Sequence, residues 1–140
     1  MIALDTNILI AAMSPAFPNY TVVRRWLGGV PEPVVTTHTN IAEFLRLVTH
    51  PRVFTAPLTL FAAVSAMHSF VDGLDLRVLE SSDHWWTDLI TLDSLLPRLR
   101  GNEVFDAQIA LCLRFHGVKT ICSFDSDFDK YRFLKRVVPS

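Results

Sequence analysis

Short runs of Val, Ile and Leu alternate with longer helical stretches along nearly the whole of this 140-residue chain. The predicted strands are residues 2–5, 34–36, 76–79, 120–122 and 136–138. Apolar strands that are separated by helices are typical of a parallel sheet that is buried on both faces. We therefore predict an α/β fold with a central parallel sheet flanked by helices on both faces, in one domain spanning residues 1–140.

The predicted helices are delimited by capping residues and by Pro or Gly. They run over 7–13, from Asn19 or Thr21 to Leu27, from Thr37 or Thr39 to Val48, from Pro57 or Thr59 to Val71, from Ser82 or Asp83 to Leu96, over 103–116 and over about 126–134. Asp72-Gly73 is predicted to end the fourth helix, and Pro97 with Gly101 to end the fifth.

The composition narrows the possible classes of protein. Half of the residues are hydrophobic, so the chain is not disordered, and no apolar stretch is long enough to span a membrane. The first residues lack the basic region of a signal peptide, and Cys112 and Cys122 are predicted to be reduced core residues of a cytoplasmic protein. The net charge is −1, so the chain lacks the excess of basic residues that is typical of a dedicated nucleic-acid binder.

Acidic residues recur where this fold is expected to bind ligands. Asp5, Asp125 and Asp127 follow the ends of predicted strands, and parallel sheets bind ligands at the carboxyl ends of their strands. Glu43 and Asp106 lie on helices that are otherwise apolar. Clustered carboxylates repel one another, and a hard divalent cation such as Mg²⁺ or Mn²⁺ relieves that repulsion.

Each acid also has an ordinary structural explanation. Asp5, Asp125 and Asp127 suit helix N-caps, and Asp106 suits the first turn of a helix, where the helix dipole stabilises it. Glu43 suits a solvated helix surface. The joint placement of all five acids at one end of one sheet favours the metal site.

Four segments resemble the motifs of PIN-domain ribonucleases, specifically the VapC-type toxins of bacterial toxin–antitoxin pairs. They are "ALDTNIL" (3–9), "NIAEFLRLVTHPRVF" (40–54), "GNEVFDAQIA" (101–110) and "SFDSDF" (123–128). The resemblance covers nearly the whole chain and keeps the motifs in the family's order. One departure is Ser126, which stands where a basic residue often separates the last two aspartates of the motif.

The resemblance implies a PIN-like fold that hydrolyses RNA phosphodiester bonds with Mg²⁺ or Mn²⁺. It implies that Asp5 and Asp106 bind the metal directly, that Glu43 and Asp127 bind a second ion or orient its water, and that Asp125 completes the pocket. The expected substrate contacts are Thr6, Asn7, Arg46 and Arg52. The expected partners are a VapB-like antitoxin, an RNA (tRNA, rRNA or mRNA) and a second copy of the chain.

Two other classes of protein also have an Asp after the first strand, and the sequence argues against both. A haloacid-dehalogenase phosphatase needs a second Asp two residues after the first, where this chain has Asn7. A receiver domain needs paired acids after the first strand, where Asp5 stands alone. The remaining alternative is a catalytically inert PIN fold that binds RNA or an antitoxin.

The predicted helix at 57–71 is apolar on nearly every face. It is expected either to form a groove for an amphipathic helix of the antitoxin or to be buried within the monomer. The aromatic side chains Phe54, Phe61, Phe70, Trp85 and Trp86 are interpreted as core or dimer-interface residues rather than as stacking platforms.

Overall fold

The five strands of the molecule form one parallel sheet. In the computed structural model, which describes residues 1–96 and 98–140, the strands are β1 (Ile2–Leu4), β2 (Val34–Thr37), β3 (Arg77–Leu79), β4 (Thr120–Cys122) and β5 (Lys135–Val137). Every pairing is parallel, and the order across the sheet is β3-β2-β1-β4-β5. This arrangement confirms the predicted α/β architecture.

Six α-helices connect the strands: α1 (Thr6–Met13), α2 (Tyr20–Gly29), α3 (His38–Val48), α4 (Leu60–Leu74), α5 (Trp85–Leu95) and α6 (Glu103–Phe115). Thr37 caps α3 and Thr59 caps α4, each accepting a hydrogen bond from a backbone N–H of the first turn, as predicted. The predicted break at Pro97 lies outside the described residues.

Three predicted helix ends were wrong. Helix α2 was predicted to end at Leu27, but it includes Gly28 and Gly29. Helix α4 continues through Asp72-Gly73 to Leu74, because an interior Gly costs a helix only about 1 kcal/mol, and it ends where Asp75 turns left-handed at φ 50°. The helix predicted at 126–134 is only a 3₁₀ turn, Ser126–Lys130. The chain then turns again, which buries Tyr131 and Leu134 against the sheet.

The sheet separates two hydrophobic cores. Ile2 and Leu4 of β1 point into a core that α1, α2, α3 and α4 cover, whereas Ala3 points into the core beneath α5 and α6. Both cysteines are free and buried, as predicted, and they lie on opposite sides of the sheet. Helices therefore cover both faces.

The strand order reverses between β1 and β4. The chain passes from β1 to β2 and β3 on one side, then crosses over to β4 and β5 on the other. The loops that follow β1 and β4 diverge at such a reversal, and the crevice between them is where open α/β sheets bind ligands. Among the described residues, no helix has the length and apolar character needed to cross a membrane.

Candidate metal centre

Asp5, the first residue after β1, is buried and surrounded by hydrogen-bond donors. It is 5% exposed, and its Oδ1 accepts hydrogen bonds from the Thr6 backbone N–H (2.8 Å) and from Asn40 Nδ2 (3.1 Å). Its Oδ2 accepts from Ser123 Oγ (2.6 Å) and Asn7 Nδ2 (2.9 Å). Asp5 therefore is the N-cap of α1, as one of its two explanations predicted, and it also lies within a larger polar network.

The Asp5 carboxylate is costly to ionise despite these donors. Burial raises its pKa to about 6, while the hydrogen bonds from Ser123 and Thr6 act in the opposite direction. The neighbouring acids Glu43 and Asp125 add to the increase. A group in this position gains from a nearby cation.

Asn40 links Asp5 to Glu43 through the first turns of α1 and α3. Thr37 Oγ1 donates to Asn40 Oδ1 (2.7 Å), which orients the Asn40 amide so that Nδ2 donates to Asp5 and to Thr6 Oγ1 (3.1 Å each). Thr6 Oγ1 in turn donates to Glu43 Oε2 (2.9 Å). The orientation of two carboxylates is thus set by a continuous chain of hydrogen bonds.

The segment after β4 supplies two further acids. Ser123 Oγ accepts a hydrogen bond from the Asp125 backbone N–H (2.9 Å), and Asp125 Oδ1 accepts from the Asp127 N–H (2.8 Å), which caps the 3₁₀ turn. Arg136 of β5 anchors this segment. It donates hydrogen bonds to the Ser123 carbonyl (3.3 Å) and to both carboxylate oxygens of Asp129 (2.8 and 3.0 Å).

Asp106, in the first turn of α6, completes the cluster. One carboxylate oxygen each of Asp106, Asp125 and Asp127 lie within 4.8 Å of one another. Burial, together with the nearby Asp5, Asp125 and Glu43 carboxylates, raises the pKa of Asp106 to about 7. Among the described residues, no donor hydrogen-bonds to the Asp106 side chain.

The donor set fits a hard divalent cation. All the candidate ligand atoms are carboxylate oxygens, the type that Mg²⁺ and Mn²⁺ prefer. Small side-chain rotations bring oxygens that lie within 4.8 Å of one another around one ion. A cation there also offsets the mutual repulsion that raises the pKa of Asp106.

All five predicted acids line two cavities with a shared wall. A cavity of about 660 Å³ is lined by Glu43, Asp106, Asp125 and Asp127 among others. A smaller one of about 130 Å³ is lined by Asp5 together with Glu43, Asp106 and Asp125. The structure thus brings together at one crevice acids that come from four separate segments of the chain.

The residues predicted to contact substrate lie in different surroundings. Thr6 is 4% exposed, and Asn7 bridges Asp5, Ser123 and the Phe124 N–H, so both side chains orient the carboxylate network. Arg46 lines the larger cavity. Arg52 lies in an exposed turn after α3 and lines neither cavity. Their roles in substrate binding stay predictions.

The sequence patterns predicted no role for Asn40 or Ser123, although both residues lie inside the quoted motifs. A signal for each is present. Asn40 follows the capping Thr37 by three residues, and Ser123 follows a strand whose last two residues are fully buried. Tyr131 also received no role, yet its hydroxyl is the one buried side-chain polar atom of the described residues that lacks a hydrogen-bond partner.

Comparison with known proteins agrees with this geometry. The PIN domain family model matches residues 2–134. Ribonuclease VapC48 of Mycobacterium tuberculosis is 34% identical over 136 residues, covering 94% of this chain and 92% of that protein.

Solved structures share the fold at lower identity. The M. tuberculosis VapC20 structure, described as a sarcin-ricin loop cleaving toxin, is 21% identical with a TM-score of 0.69, covering 96% of this chain and 97% of that one. VapBC2 from Rickettsia felis, bound to a promoter DNA fragment, is 17% identical with a TM-score of 0.66 and full coverage of both chains. With its parallel sheet, its carboxylate crevice and these relatives, the chain belongs to the PIN domain family, in its VapC branch.

Proposed function

We propose that this protein is a metal-dependent ribonuclease and the toxin of a bacterial toxin–antitoxin pair. The observation that carries the proposal is the convergence of five carboxylates on one crevice, three of them with oxygens within 4.8 Å. The names of the curated relatives, which are VapC ribonucleases, support the same activity.

Some residues of the site would bind the metal, and others orient the side chains that bind it. Asp5 and Asp106 would hold Mg²⁺ directly, Glu43 and Asp127 would bind a second ion or orient its water, and Asp125 would complete the pocket. The hydrogen bond from Thr6 Oγ1 sets the position of the Glu43 oxygen. The bound metal supplies an activated water and stabilises charge on the phosphate. Hydrogen bonds from the protein orient the Asp5 carboxylate, whereas no donor among the described residues bonds to the Asp106 carboxylate.

Cleavage of purified RNA tests the activity. Cleavage is expected with Mg²⁺ or Mn²⁺, to stop in EDTA and to return when the metal is restored, with Zn²⁺ a poor substitute for oxygen ligands. Asp93→Asn, on the exposed surface of α5, is the matched control and should cleave normally. Undiminished cleavage in EDTA would overturn the metal mechanism.

Expression in bacteria tests the role as a toxin. The wild-type chain should arrest growth, the Asp5→Asn chain should not, and co-expression of a small VapB-like antitoxin should restore growth. A soluble wild-type chain that is harmless would favour the alternative, a catalytically inert PIN fold that binds RNA or an antitoxin. The 5′ ends of cellular RNAs after induction would identify the substrate among tRNA, rRNA and mRNA.

The antitoxin is proposed to bind across α4. One side of this helix is buried through Ala63, Met67 and Phe70. The other side leaves Leu60 and Phe61 in solvent, Phe61 at 84% exposure. Phe61→Glu should therefore abolish antitoxin binding while folding and cleavage persist, and unchanged binding would place the partner elsewhere.

A homodimer is proposed as well, and ultracentrifugation of the same variant reports on it.

A further inference from the structure

Phe105 is an exposed aromatic side chain beside the carboxylates. It is 56% exposed, directly precedes Asp106 on α6, and lines the 660 Å³ cavity. The residues that follow on α6, Ala107 and Ile109, point into the core, so Phe105 is not needed to cover it. What sets Phe105 apart from the other exposed apolar side chains is that it lines the cavity that contains the carboxylates.

The opposite wall of the cavity carries a cation. Arg46 lies on α3, one turn beyond Glu43, and lines the same cavity as Phe105. Among the described residues, the Arg46 guanidinium makes no ion pair. His38, Asn102 and Gln108 also line the cavity and offer hydrogen-bonding groups.

These groups match the parts of one nucleotide. An unpaired guanidinium suits a phosphate, and an exposed ring suits the face of a base. The cavity volume falls within the range of about 300–1,000 Å³ that holds small ligands. Because Phe105 and Asp106 line the same cavity, a base on Phe105 would belong to a nucleotide close to a phosphate held at the carboxylates.

We propose that Phe105 is a stacking platform for an unpaired nucleobase adjacent to the scissile phosphate, with Arg46 holding a neighbouring phosphate across the cavity. The proposal rests on the ribonuclease function proposed above. It restricts the substrate to RNA whose bases are free to leave a helical stack, such as loops, bulges and single strands.

Phe115 provides a matched control on the same helix. It is 63% exposed, lies at the opposite end of α6, and does not line the cavity. Phe105→Ala and Phe115→Ala therefore remove the same exposed ring at different distances from the carboxylates. Urea unfolding of both variants shows whether either change alters the fold.

The experiment measures kcat and KM on a 20-nucleotide single-stranded RNA of random sequence, and binding of the same labelled RNA in Ca²⁺ by anisotropy. Loss of one stacked base is worth about 1–3 kcal/mol, so Phe105→Ala should lower kcat/KM roughly 5- to 150-fold. Phe105→Trp should restore most of the loss, and Phe115→Ala should match wild type. Annealing the complementary strand should protect the RNA from the wild-type enzyme.

The outcomes separate the two proposals. A wild-type enzyme that cleaves, with a Phe105→Ala variant that cleaves equally well, overturns the stacking platform and leaves the ribonuclease intact. A wild-type protein that neither binds nor cleaves the RNA overturns both. If Phe105→Ala instead loses only antitoxin binding or self-association, Phe105 belongs to a protein interface and the stacking proposal is wrong.

Discussion

The carboxylates on the two sides of the crevice differ in their burial and in the number of hydrogen bonds that they accept. On the β1 side, Asp5 is almost fully buried and accepts four hydrogen bonds, from Thr6, Asn7, Asn40 and Ser123. On the α6 side, Asp106 is half-buried and accepts none from the described residues, yet the pKa of each carboxylate is raised, to about 6 and about 7.

The difference shows which part of the site is preorganised by the protein alone. Donors fix the orientation of Asp5, so its oxygens point in set directions whether or not a metal is present. Asp106 is positioned by α6 alone, without a donor from the described residues. The protein therefore orients the β1 side of the site more fully than the α6 side.

Removing either carboxylate should have the largest effect on activity. Asp5→Asn and Asp106→Asn are each expected to lose more than the roughly 100-fold in kcat/KM that loss of an outer hydrogen-bonding partner costs. Glu43→Gln should lose less, about 10- to 100-fold, if it acts through water. RNA cleavage assays compare the three, and equal losses would show that Glu43 binds metal directly.

Lowering the pH should stabilise the metal-free protein. Because the folded-state pKa of Asp5, about 6, exceeds its ordinary value of 3.8, its stabilising contribution is complete below pH 3.8 and is lost as pH rises through 6. The change is about 3 kcal/mol for Asp5 at 1.36 kcal/mol per pKa unit. Urea unfolding in EDTA between pH 4.5 and 8 measures the part of this change that lies above pH 4.5, about 2 kcal/mol.

One variant separates the contributions of Asp106 and Asp5 to this pH dependence. Asp106→Asn should remove the portion near pH 7 and leave the portion from Asp5. The carboxyls of Glu103 and Asp129 do not interfere, because Lys130 and Arg136 respectively lower their pKa values below this window. A wild-type protein whose stability rises steadily from pH 4.5 to 8 in EDTA would contradict the prediction.

Neutral substitutions on the two sides should change stability in opposite directions. Asp106→Asn removes a repelled charge that has no donors, so it should stabilise the metal-free protein. In Asp5→Asn, the new amide NH₂ replaces an oxygen that accepts hydrogen bonds, so the Asn7 or the Asn40 donor loses its partner. The free energy of unfolding should fall by about 1–3 kcal/mol, the penalty for unpaired buried polar groups. Urea unfolding at pH 8 in EDTA compares them, and shifts of the same sign would show that the two sides are alike.

Tyr131→Phe should have the smallest effect and should be mildly stabilising. The Tyr131 ring is fully buried in the core beneath α6, and its hydroxyl has no partner among the described residues. Deleting that hydroxyl relieves about 1 kcal/mol of desolvation. Ser123→Ala, which deletes a hydroxyl that serves Asp5 and Asp125, should destabilise instead. Thermal melts of both variants test the contrast, and a destabilised Tyr131→Phe would mean that the hydroxyl binds an ordered water.

The fold class was predictable because it depends on local patterns. Apolar strands separated by helices indicate a parallel sheet, and Thr37 and Thr59 cap their helices as their positions predict. The order of the strands was not predictable, since the pairing of β1 with β4 joins residues about 118 positions apart. Sequence spacing carries no information on such a pairing.

The acids of the site were easier to predict than the groups that orient them. A carboxylate in an apolar segment is conspicuous, as Asp5 and Asp106 are. Asn40 occupies a helix position where a polar residue usually faces water, and only the packing of α3 against α1 turns it towards Asp5. Phe105 resembles any other aromatic residue of an apolar helix until its exposure is known.

The hydrogen bond from Ser123 to Asp5 determines when the centre forms during synthesis. It joins residues separated by 118 positions, and β4 and β5 are the last strands of the described chain. A ribosome adds about 5–20 residues per second, so a nascent chain carries Asp5 for several seconds before Ser123 and Asp127 exist. An incomplete chain therefore holds β1 and Glu43 without a working centre. The chain must therefore be synthesised at least as far as Asp127 before the carboxylate centre can assemble.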